Sequence, residues 1–190
     1  MTLTKTLALF PPALDGPAGL RYRPEFISSA EEQGLIGHIR HLALMPFQFG
    51  AYEGKRRVAS FGWRYDYSER KLHKADDIPA WLAPFVERIE VFAGSHSGAV
   101  RQVLCTEYDE GVGIGWHRDK PHFDEVFGLS LASACKLRFR RKLETSWQRL
   151  TLPVEPRSLY KMTGEARNSW EHSIPAVEAQ RYSITFRTMR

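Results

Sequence analysis

Cysteines are scarce in this sequence and long apolar runs are missing. The two shortages argue against a disulfide-stabilised protein and against a membrane-spanning one. Its two cysteines, Cys105 and Cys135, sit in apolar runs without metal-ligand spacing, so we expect buried, reduced thiols rather than disulfides. No stretch approaches the roughly 20 apolar residues of a membrane span, and no basic-plus-apolar leader opens the chain. We therefore expect a cytoplasmic protein with no membrane partner.

Nucleophile motifs, internal repeats and low-complexity tracts are also missing. The acidic pairs Asp109-Glu110 and Asp124-Glu125 are typical of turns rather than of a positioned acid and base. These absences argue against a covalent hydrolase.

The composition is that of a globular protein with a mild basic bias. Apolar residues make up 43% and charged residues 26% of the 190 residues, which predicts one domain over residues 1–190. The formal charge of +5 suits a polyanionic partner without requiring one. The basic residues form clusters that we expect to border the functional site: Lys55, Arg56, Arg57, Arg64, Arg70, Lys71, Lys136, Arg138, Arg140, Arg141, Lys142 and Arg149.

The order of the predicted elements indicates the fold class. Residues 1–19 are rich in Pro and Gly and predict an extended arm, followed by one helix from Ser28 or Ser29 to about residue 44 and a second over residues 79–93. Short apolar runs between Gly, Pro and polar turns then predict strands. This pattern predicts an α+β fold, a double-stranded β-helix (jelly roll) backed by two N-terminal helices. The predicted strands are residues 103–108, 126–131, 135–139, 147–152, 158–162 and 182–186.

Three side chains have the pattern of a metal site. Alternate residues of a strand share a face, so His117 and Asp119 would point the same way, and His172 would complete the set from a neighbouring strand. Two His and one carboxylate form the facial triad that holds non-haem Fe(II) and leaves positions open for substrate chemistry. A turn His bonded to a nearby Asp is the plainer alternative.

Residues 181–187 alternate strictly between polar and apolar side chains. Arg181 and Arg187 would lie roughly 20 Å apart along one face of an ideal strand. With curvature and long side chains, the two guanidiniums could hold both ends of a small dicarboxylate. A solvated basic face on a surface strand is the alternative.

Together these residues resemble the AlkB-like Fe(II)/2-oxoglutarate dioxygenases. The family pattern is Asn-x-Tyr, His-x-Asp nine residues after the Tyr, a distant His, and two Arg six residues apart. The resemblance runs from about Tyr52 to the C-terminus and is closest to the oxygenase domain that hydroxylates modified wobble uridines of tRNA, alongside the bacterial alkylation-repair enzymes. The matching positions are Thr106-Glu107-Tyr108, His117-Arg118-Asp119, His172, Arg181 and Arg187.

The resemblance implies Fe(II) and 2-oxoglutarate as cofactors and O2 as oxidant, with hydroxylation of a substrate C–H bond coupled to release of succinate and CO2. It implies that His117, Asp119 and His172 bind the metal and are the catalytic residues. Thr106 and Ser183 stand where the family has Asn and keep a hydroxyl with a shorter reach. The implied cosubstrate-binding residues are Tyr108, Arg181, Arg187, Thr106 and Ser183.

Residues 56–67 correspond to the nucleotide-recognition lid of that family. Repair enzymes carry a base-reading Asp two residues beyond the metal Asp, where this chain has Pro121, so base selection must rest on other groups. The candidates for substrate binding are Trp63, Tyr65, Arg64, Lys120 and His122, with Glu107 as a further candidate.

The resemblance thus implies a monomeric dioxygenase that oxidatively dealkylates or hydroxylates bases of alkylated single-stranded DNA, RNA or tRNA, as in alkylation repair. The alternatives are a tRNA wobble-uridine side-chain hydroxylase and an oxygenase acting on a protein or small molecule. Rivals from other classes are a non-enzymatic cupin-like or lectin-like jelly roll and a zinc hydrolase, since Zn²⁺ also accepts His and Asp.

Overall fold

The computed structural model describes residues 16–190, so most of the predicted arm lies outside the described residues. The helices are α1 (Ser29–Arg40), α2 (Ala83–Ala93) and α3 (Gly164–Asn168). The strands are β1 (Leu20–Arg23), β2 (Met45–Phe49), β3 (Tyr52–Phe61), β4 (Trp63–Asp66), β5 (Lys71–Lys74), β6 (Val100–Tyr108), β7 (Ile114–His117), β8 (Phe123–Leu131), β9 (Cys135–Lys142), β10 (Trp147–Val154), β11 (Leu159–Met162), β12 (Glu171–Ile174) and β13 (Arg181–Met189).

Two antiparallel sheets form the jelly roll. The larger sheet has the strand order β1-β11-β8-β13-β6-β3-β2, and the smaller has the order β10-β9-β12-β7. Strands β4 and β5 form a separate hairpin. Side chains of both sheets share one buried core, which includes Tyr108 and Tyr160 from the larger sheet and Leu137 and Phe139 from the smaller. The candidate site lies in this space.

A second core joins α1 and α2 to the larger sheet. Helix α1 is capped by Ser28, whose Oγ accepts from the Glu31 backbone N–H (3.2 Å) while the Glu31 carboxylate accepts from the Ser28 backbone N–H (2.8 Å). It ends at Arg40, four residues before the predicted end. Helix α2 follows a short 3-10 turn and stops at Gly94, which has a φ of 71°. Five strands precede α2, so the two helices are not both N-terminal.

The six predicted strands all exist, most of them longer at one end than predicted. The metal motif was predicted to lie on one strand, but β7 ends at His117 and Asp119 lies in the segment that follows. Among the described residues, no helix is long and apolar enough to cross a membrane.

Candidate metal and cosubstrate site

The structure brings His117, Asp119 and His172 together between the sheets. His117 on β7 and His172 on β12 are cross-strand partners, and their ring centroids lie 4.2 Å apart. Asp119 Oδ2 lies 3.5 Å from His172 Nε2. One ligand atom from each residue lies within 4.8 Å of the other two. Two imidazoles and a carboxylate on one side of a pocket fit the ligand set of a facial Fe(II) site.

Arg187 fixes the carboxylate of this set. Its Nε and Nη2 donate to Asp119 Oδ1 at 2.9 and 2.7 Å, and its Nη1 donates to Gln102 Oε1 at 2.7 Å. Because Oδ1 is held by this fork, Oδ2 faces the histidines. Burial alone would raise the pKa of Asp119, but Arg187 and the two histidines outweigh it and leave the pKa below its usual value. The carboxylate is therefore charged, as a metal ligand must be.

The two histidines are held neutral. Burial, reinforced by the neighbouring His117, lowers the pKa of His172 to about 3, and burial also lowers the pKa of His117. His117 Nδ1 lies 2.9 Å from the Gly115 carbonyl oxygen. Because a carbonyl oxygen only accepts hydrogen bonds, Nδ1 must be the protonated, donating nitrogen. Its Nε2 is then left with a lone pair for a metal.

Arg167 holds the segment that carries Asp119, and sequence reasoning missed it. This buried side chain of α3 donates from Nη2 to the carbonyl oxygens of Lys120 (2.6 Å) and Phe123 (2.9 Å). The segment lies past the end of β7, so no sheet ladder fixes it. Nothing local in the sequence predicted these contacts, because they join residues 47 and 44 positions apart.

The predicted cosubstrate residues line the pocket or lie directly behind it. Tyr108, Thr106 and Ser183 line it with the three ligand candidates, and Thr106 and Ser183 are cross-strand partners. Arg181 lies behind this lining, 1% exposed, with its guanidinium 5.0 Å from the Tyr108 ring centroid and Nη2 3.2 Å from Ser130 Oγ. Its Nε and Nη1 have no hydrogen-bond partner among the described residues.

The two arginines of β13 therefore have different surroundings. Arg187 is committed to Asp119 and Gln102, whereas Arg181 is a buried cation with unsatisfied donors. A dicarboxylate cosubstrate would supply the carboxylate partner that this buried guanidinium lacks. That both arginines bind 2-oxoglutarate stays a prediction. Arg181 fits this role better than Arg187, because its donors are unsatisfied while those of Arg187 bind Asp119 and Gln102.

An aromatic and cationic cluster, which we call the mouth, lies beside the pocket, because Lys120 directly follows the pocket residue Asp119. Tyr65 and Tyr67 from the β4–β5 hairpin meet edge to face at 4.9 Å, and Lys120 Nζ lies 4.7 Å from each ring centroid. His122 lies 5.7 Å from Tyr65. The structure thus groups three of the five predicted substrate residues, namely Tyr65, Lys120 and His122.

Arg56 is the second residue that sequence reasoning missed as an individual contact. Its guanidinium carbon lies 3.7 Å from the Phe47 ring centroid, and the residue lines the pocket beside the candidate metal ligands. Burial lowers the pKa of Arg56. Among the described residues no carboxylate pairs with it, so a positive charge faces the pocket. Its signals in the sequence were its place in the basic run of residues 55–57, which we expected to border the site, and in the lid-like residues 56–67.

Two predicted substrate residues and one further candidate are not part of this cluster. Arg64 is on the opposite side of β4 from Tyr65, is exposed, and lies 4.0 Å from Asp66. Trp63 shares a strand face with Tyr65, but no ring contact joins it to the mouth within residues 16–190. Glu107 is on the side of β6 away from the pocket, where Arg57 (2.8 Å) and Gln180 (3.0 Å) bind its carboxylate.

A second possible metal-binding group, Asp66, Glu69 and His73, lies on the β4–β5 hairpin. Asp66 Oδ1 already accepts the backbone N–H groups of Ser68 (2.8 Å) and Glu69 (3.0 Å), as expected of a turn acid. Glu69 is exposed. We therefore assign this group to the turn.

Comparison with known proteins places these features in a family. A family model described as the 2OG-Fe(II) oxygenase superfamily matches residues 19–187. An Arabidopsis thaliana protein, "Alkylated DNA repair protein ALKBH8 homolog", is 32% identical over 183 residues, covering 83% of this chain and 51% of that protein. The Mus musculus "tRNA (carboxymethyluridine(34)-5-O)-methyltransferase ALKBH8" is 32% identical over 165 residues, covering 83% and 24%.

Among solved structures, that of OsALKBH1 superimposes with a TM-score of 0.67 at 14% identity, over 90% of this chain and 96% of the other, which shows the shared fold. The chain spans about half the length of the plant relative and about a quarter of the mouse relative.

Proposed function

The chain belongs to the 2OG-Fe(II) oxygenase superfamily, and we propose that within it the protein oxidises the bases of nucleic acid, by dealkylation or hydroxylation. The enzyme class, an AlkB-like dioxygenase that uses Fe(II) and 2-oxoglutarate, is shown by the family match together with the His-Asp-His group. The observation that carries the substrate proposal is the combination of Tyr65, Tyr67 and Lys120, which cluster beside the segment bearing Asp119, with Arg56, which lines the pocket itself.

Fe(II) and 2-oxoglutarate, when bound, would supply the oxidising chemistry, in which one oxygen atom of O2 would enter a substrate C–H bond and the other would enter succinate, with release of CO2. His117, Asp119 and His172 would hold the metal, and the Arg187 fork would keep Asp119 Oδ2 turned toward it. Arg181, with Tyr108 and the Thr106 and Ser183 hydroxyls, would bind 2-oxoglutarate. The surrounding core keeps water away from the reacting groups.

The mouth residues would receive the substrate base. Tyr65 and Tyr67 offer ring faces for stacking, which is typically worth about 1–3 kcal/mol per base. Lys120 and Arg56 would attract phosphate and base carbonyl oxygens. A base paired in a duplex would first have to be flipped out, which favours loops and single strands.

Arg56 favours hydroxylation of a uridine-type side chain as the second candidate function. Bases methylated on a ring nitrogen of adenine or cytosine carry a positive charge, and a desolvated guanidinium in the pocket repels it. The Asp that repair enzymes use is replaced here by Pro121. A neutral or anionic base rich in carbonyl oxygens fits these charges better.

A substrate panel tests the proposal. Methylated single-stranded DNA, methylated RNA and bulk tRNA are incubated with Fe(II), 2-oxoglutarate and O2, with the His172→Ala variant as the inactive control. Formaldehyde release reports dealkylation, and a mass gain of one oxygen in digested nucleosides reports hydroxylation. Succinate formation without turnover of any of the three would refute a nucleic-acid substrate and favour a protein or metabolite.

A further inference from the structure

The outward side of the smaller sheet carries a concentration of positive charge. His117, His172 and Phe139 point into the molecule, so their strand neighbours point outward. On β9 and β10 the outward basic residues are Lys136, Arg138, Arg140, Lys142 and Arg149. We call these five residues, with Trp116, Trp147 and Glu171, the outer basic face. The sequence predicted that these five residues border the site, whereas the structure puts them on the reverse of the sheet that carries the candidate metal ligands His117 and His172.

The charge of this face is only slightly compensated. Glu171 is its one acidic member and binds Arg140 Nε at 2.6 Å. Arg138 Nε donates to Ser173 Oγ at 3.1 Å. Lys136, Lys142 and Arg149 are exposed and have no ion pair among the described residues. Alternate residues along a strand are about 6.6 Å apart and adjacent strands about 4.8 Å apart, so the charges form a regular array.

Two tryptophans alternate with the guanidiniums. Arg140 lies 4.4 Å from the Trp116 ring centroid and 4.5 Å from the Trp147 centroid, and Arg138 lies 5.1 Å from Trp116. Trp147 remains 37% exposed, which is unusual for a residue with so much apolar area. Cation–π contacts with the guanidiniums stabilise the positions of both rings, and part of Trp147 stays accessible for a further contact.

The outer basic face continues to the mouth of the pocket. Strand β7 is the edge of the smaller sheet, with His117 pointing in and Trp116 pointing out. Arg118 follows directly after β7, is exposed, and donates from Nη1 to the Asn168 carbonyl oxygen (3.5 Å), and Lys120 belongs to the mouth. A basic track therefore runs around the β7 edge, from Lys120 past Arg118 to the face.

We propose that the outer basic face binds the phosphate backbone of a single-stranded nucleic acid segment that flanks the target base. This rests on the proposed function, because the target base would occupy the pocket on the other side of the β7 edge. A flat sheet with basic and aromatic side chains is the surface on which single strands bind with low sequence preference. Trp147 would stack one base while Lys142 and Arg149 contact phosphates.

Two variants with the same charge change test the face. Lys142→Gln/Arg149→Gln removes two exposed charges from it, and the matched control Arg21→Gln/Arg23→Gln removes two exposed charges from β1, at the far edge of the larger sheet. Trp147→Leu removes the stacking ring. The probe is a fluorescein-labelled unstructured RNA of about 20 nucleotides, measured by anisotropy over a salt series. Uncoupled succinate formation from 2-oxoglutarate reports that each variant remains folded.

The face variant should bind the RNA about tenfold more weakly than wild type, and its plot of log K against log salt should be shallower by about 1.4, since each phosphate contact on a single strand contributes about 0.7. Trp147→Leu should weaken binding without changing that slope. The β1 control should match wild type. Equal binding by wild type and the face variant overturns this proposal and leaves the proposed function standing.

The other outcomes separate the two proposals. If the wild type binds neither RNA nor single-stranded DNA, the nucleic-acid function and the docking face fail together. If the wild type instead binds vesicles of phosphatidylserine and phosphatidylcholine, or an acidic polypeptide, and only the face variant loses that binding, the face serves a different partner and this proposal is overturned.

Discussion

Replacing Arg181 by Met should stabilise the protein without cosubstrate and yet weaken 2-oxoglutarate binding severely. Arg181 is buried, and its Nε and Nη1 have no partner among the described residues. Each unmet donor costs about 1–3 kcal/mol, and replacing a buried ionic group by an apolar side chain of similar size is often neutral or stabilising by about 1–4 kcal/mol. Met loses the contact with Tyr108, about 0.5–2 kcal/mol, and the bond to Ser130. We expect a net gain of about 1–2 kcal/mol.

The effect on the cosubstrate has the opposite sign. A guanidinium fork on a carboxylate supplies two charge-assisted hydrogen bonds of about 1.5–3 kcal/mol each. Their loss should weaken 2-oxoglutarate by about 10²–10⁴-fold, since about 1.4 kcal/mol corresponds to a factor of ten. Arg181→Lys keeps the charge but not the fork, so it should restore little affinity and gain no stability.

Urea unfolding followed by tryptophan fluorescence measures both effects, with and without 2-oxoglutarate and Mn(II) as a redox-inert metal. Without ligands, Arg181→Met should unfold at higher urea than wild type, and with saturating cosubstrate the order should reverse, because binding stabilises the folded state in proportion to ln(1 + [L]/Kd). Arg149→Met on the surface is the control and should change neither midpoint. A variant that is less stable without ligands and binds 2-oxoglutarate normally would show that Arg181 is a structural residue.

Four further predictions follow from individual contacts. Gly128→Ala should raise the KM for 2-oxoglutarate, because an added methyl group would displace the Tyr160 ring that lines the pocket, and steady-state succinate assays measure this. Arg167→Ala should weaken Fe(II) in an anaerobic titration, because the loop bearing the carboxylate ligand loses both of its carbonyl contacts. Arg56→Gln should raise turnover of cationic methylated bases relative to uridine-type bases, and an unchanged ratio in a competition assay would contradict the charge argument. Burial raises the pKa of Cys105 to about 12, so its thiol should resist a thiol reagent in the native protein at mildly alkaline pH and react once urea unfolds it.

Much of the metal site could be predicted from the sequence because its signals are local. The alternation around Arg181 and Arg187 predicted a strand with both guanidiniums on one face, and β13 has that form. The spacing of His117 and Asp119 predicted that the two side chains share one site, and the structure brings them together with His172 even though the strand ends between them. The number of domains stays a prediction.

What could not be predicted depends on pairings between distant segments. The Arg187–Asp119 ion pair joins residues 68 positions apart, and the Arg167 contact depends on how α3 packs beside the loop after β7. The alternation within β9 decides that Arg138 and Arg140 point outward, because Leu137 and Phe139 between them are buried. What β9 alone could not show is its place in the smaller sheet beside β12, which puts these arginines on the reverse of the candidate metal site.

An anaerobic Fe(II) titration in the presence of 2-oxoglutarate tests the central claim most directly. The visible charge-transfer band of the complex is followed in wild type, Asp119→Ala and His73→Ala. We predict one Fe(II) per chain for wild type and for His73→Ala, and no band for Asp119→Ala. An intact band in Asp119→Ala, or its loss in His73→Ala, would contradict the assignment of the metal to His117, Asp119 and His172.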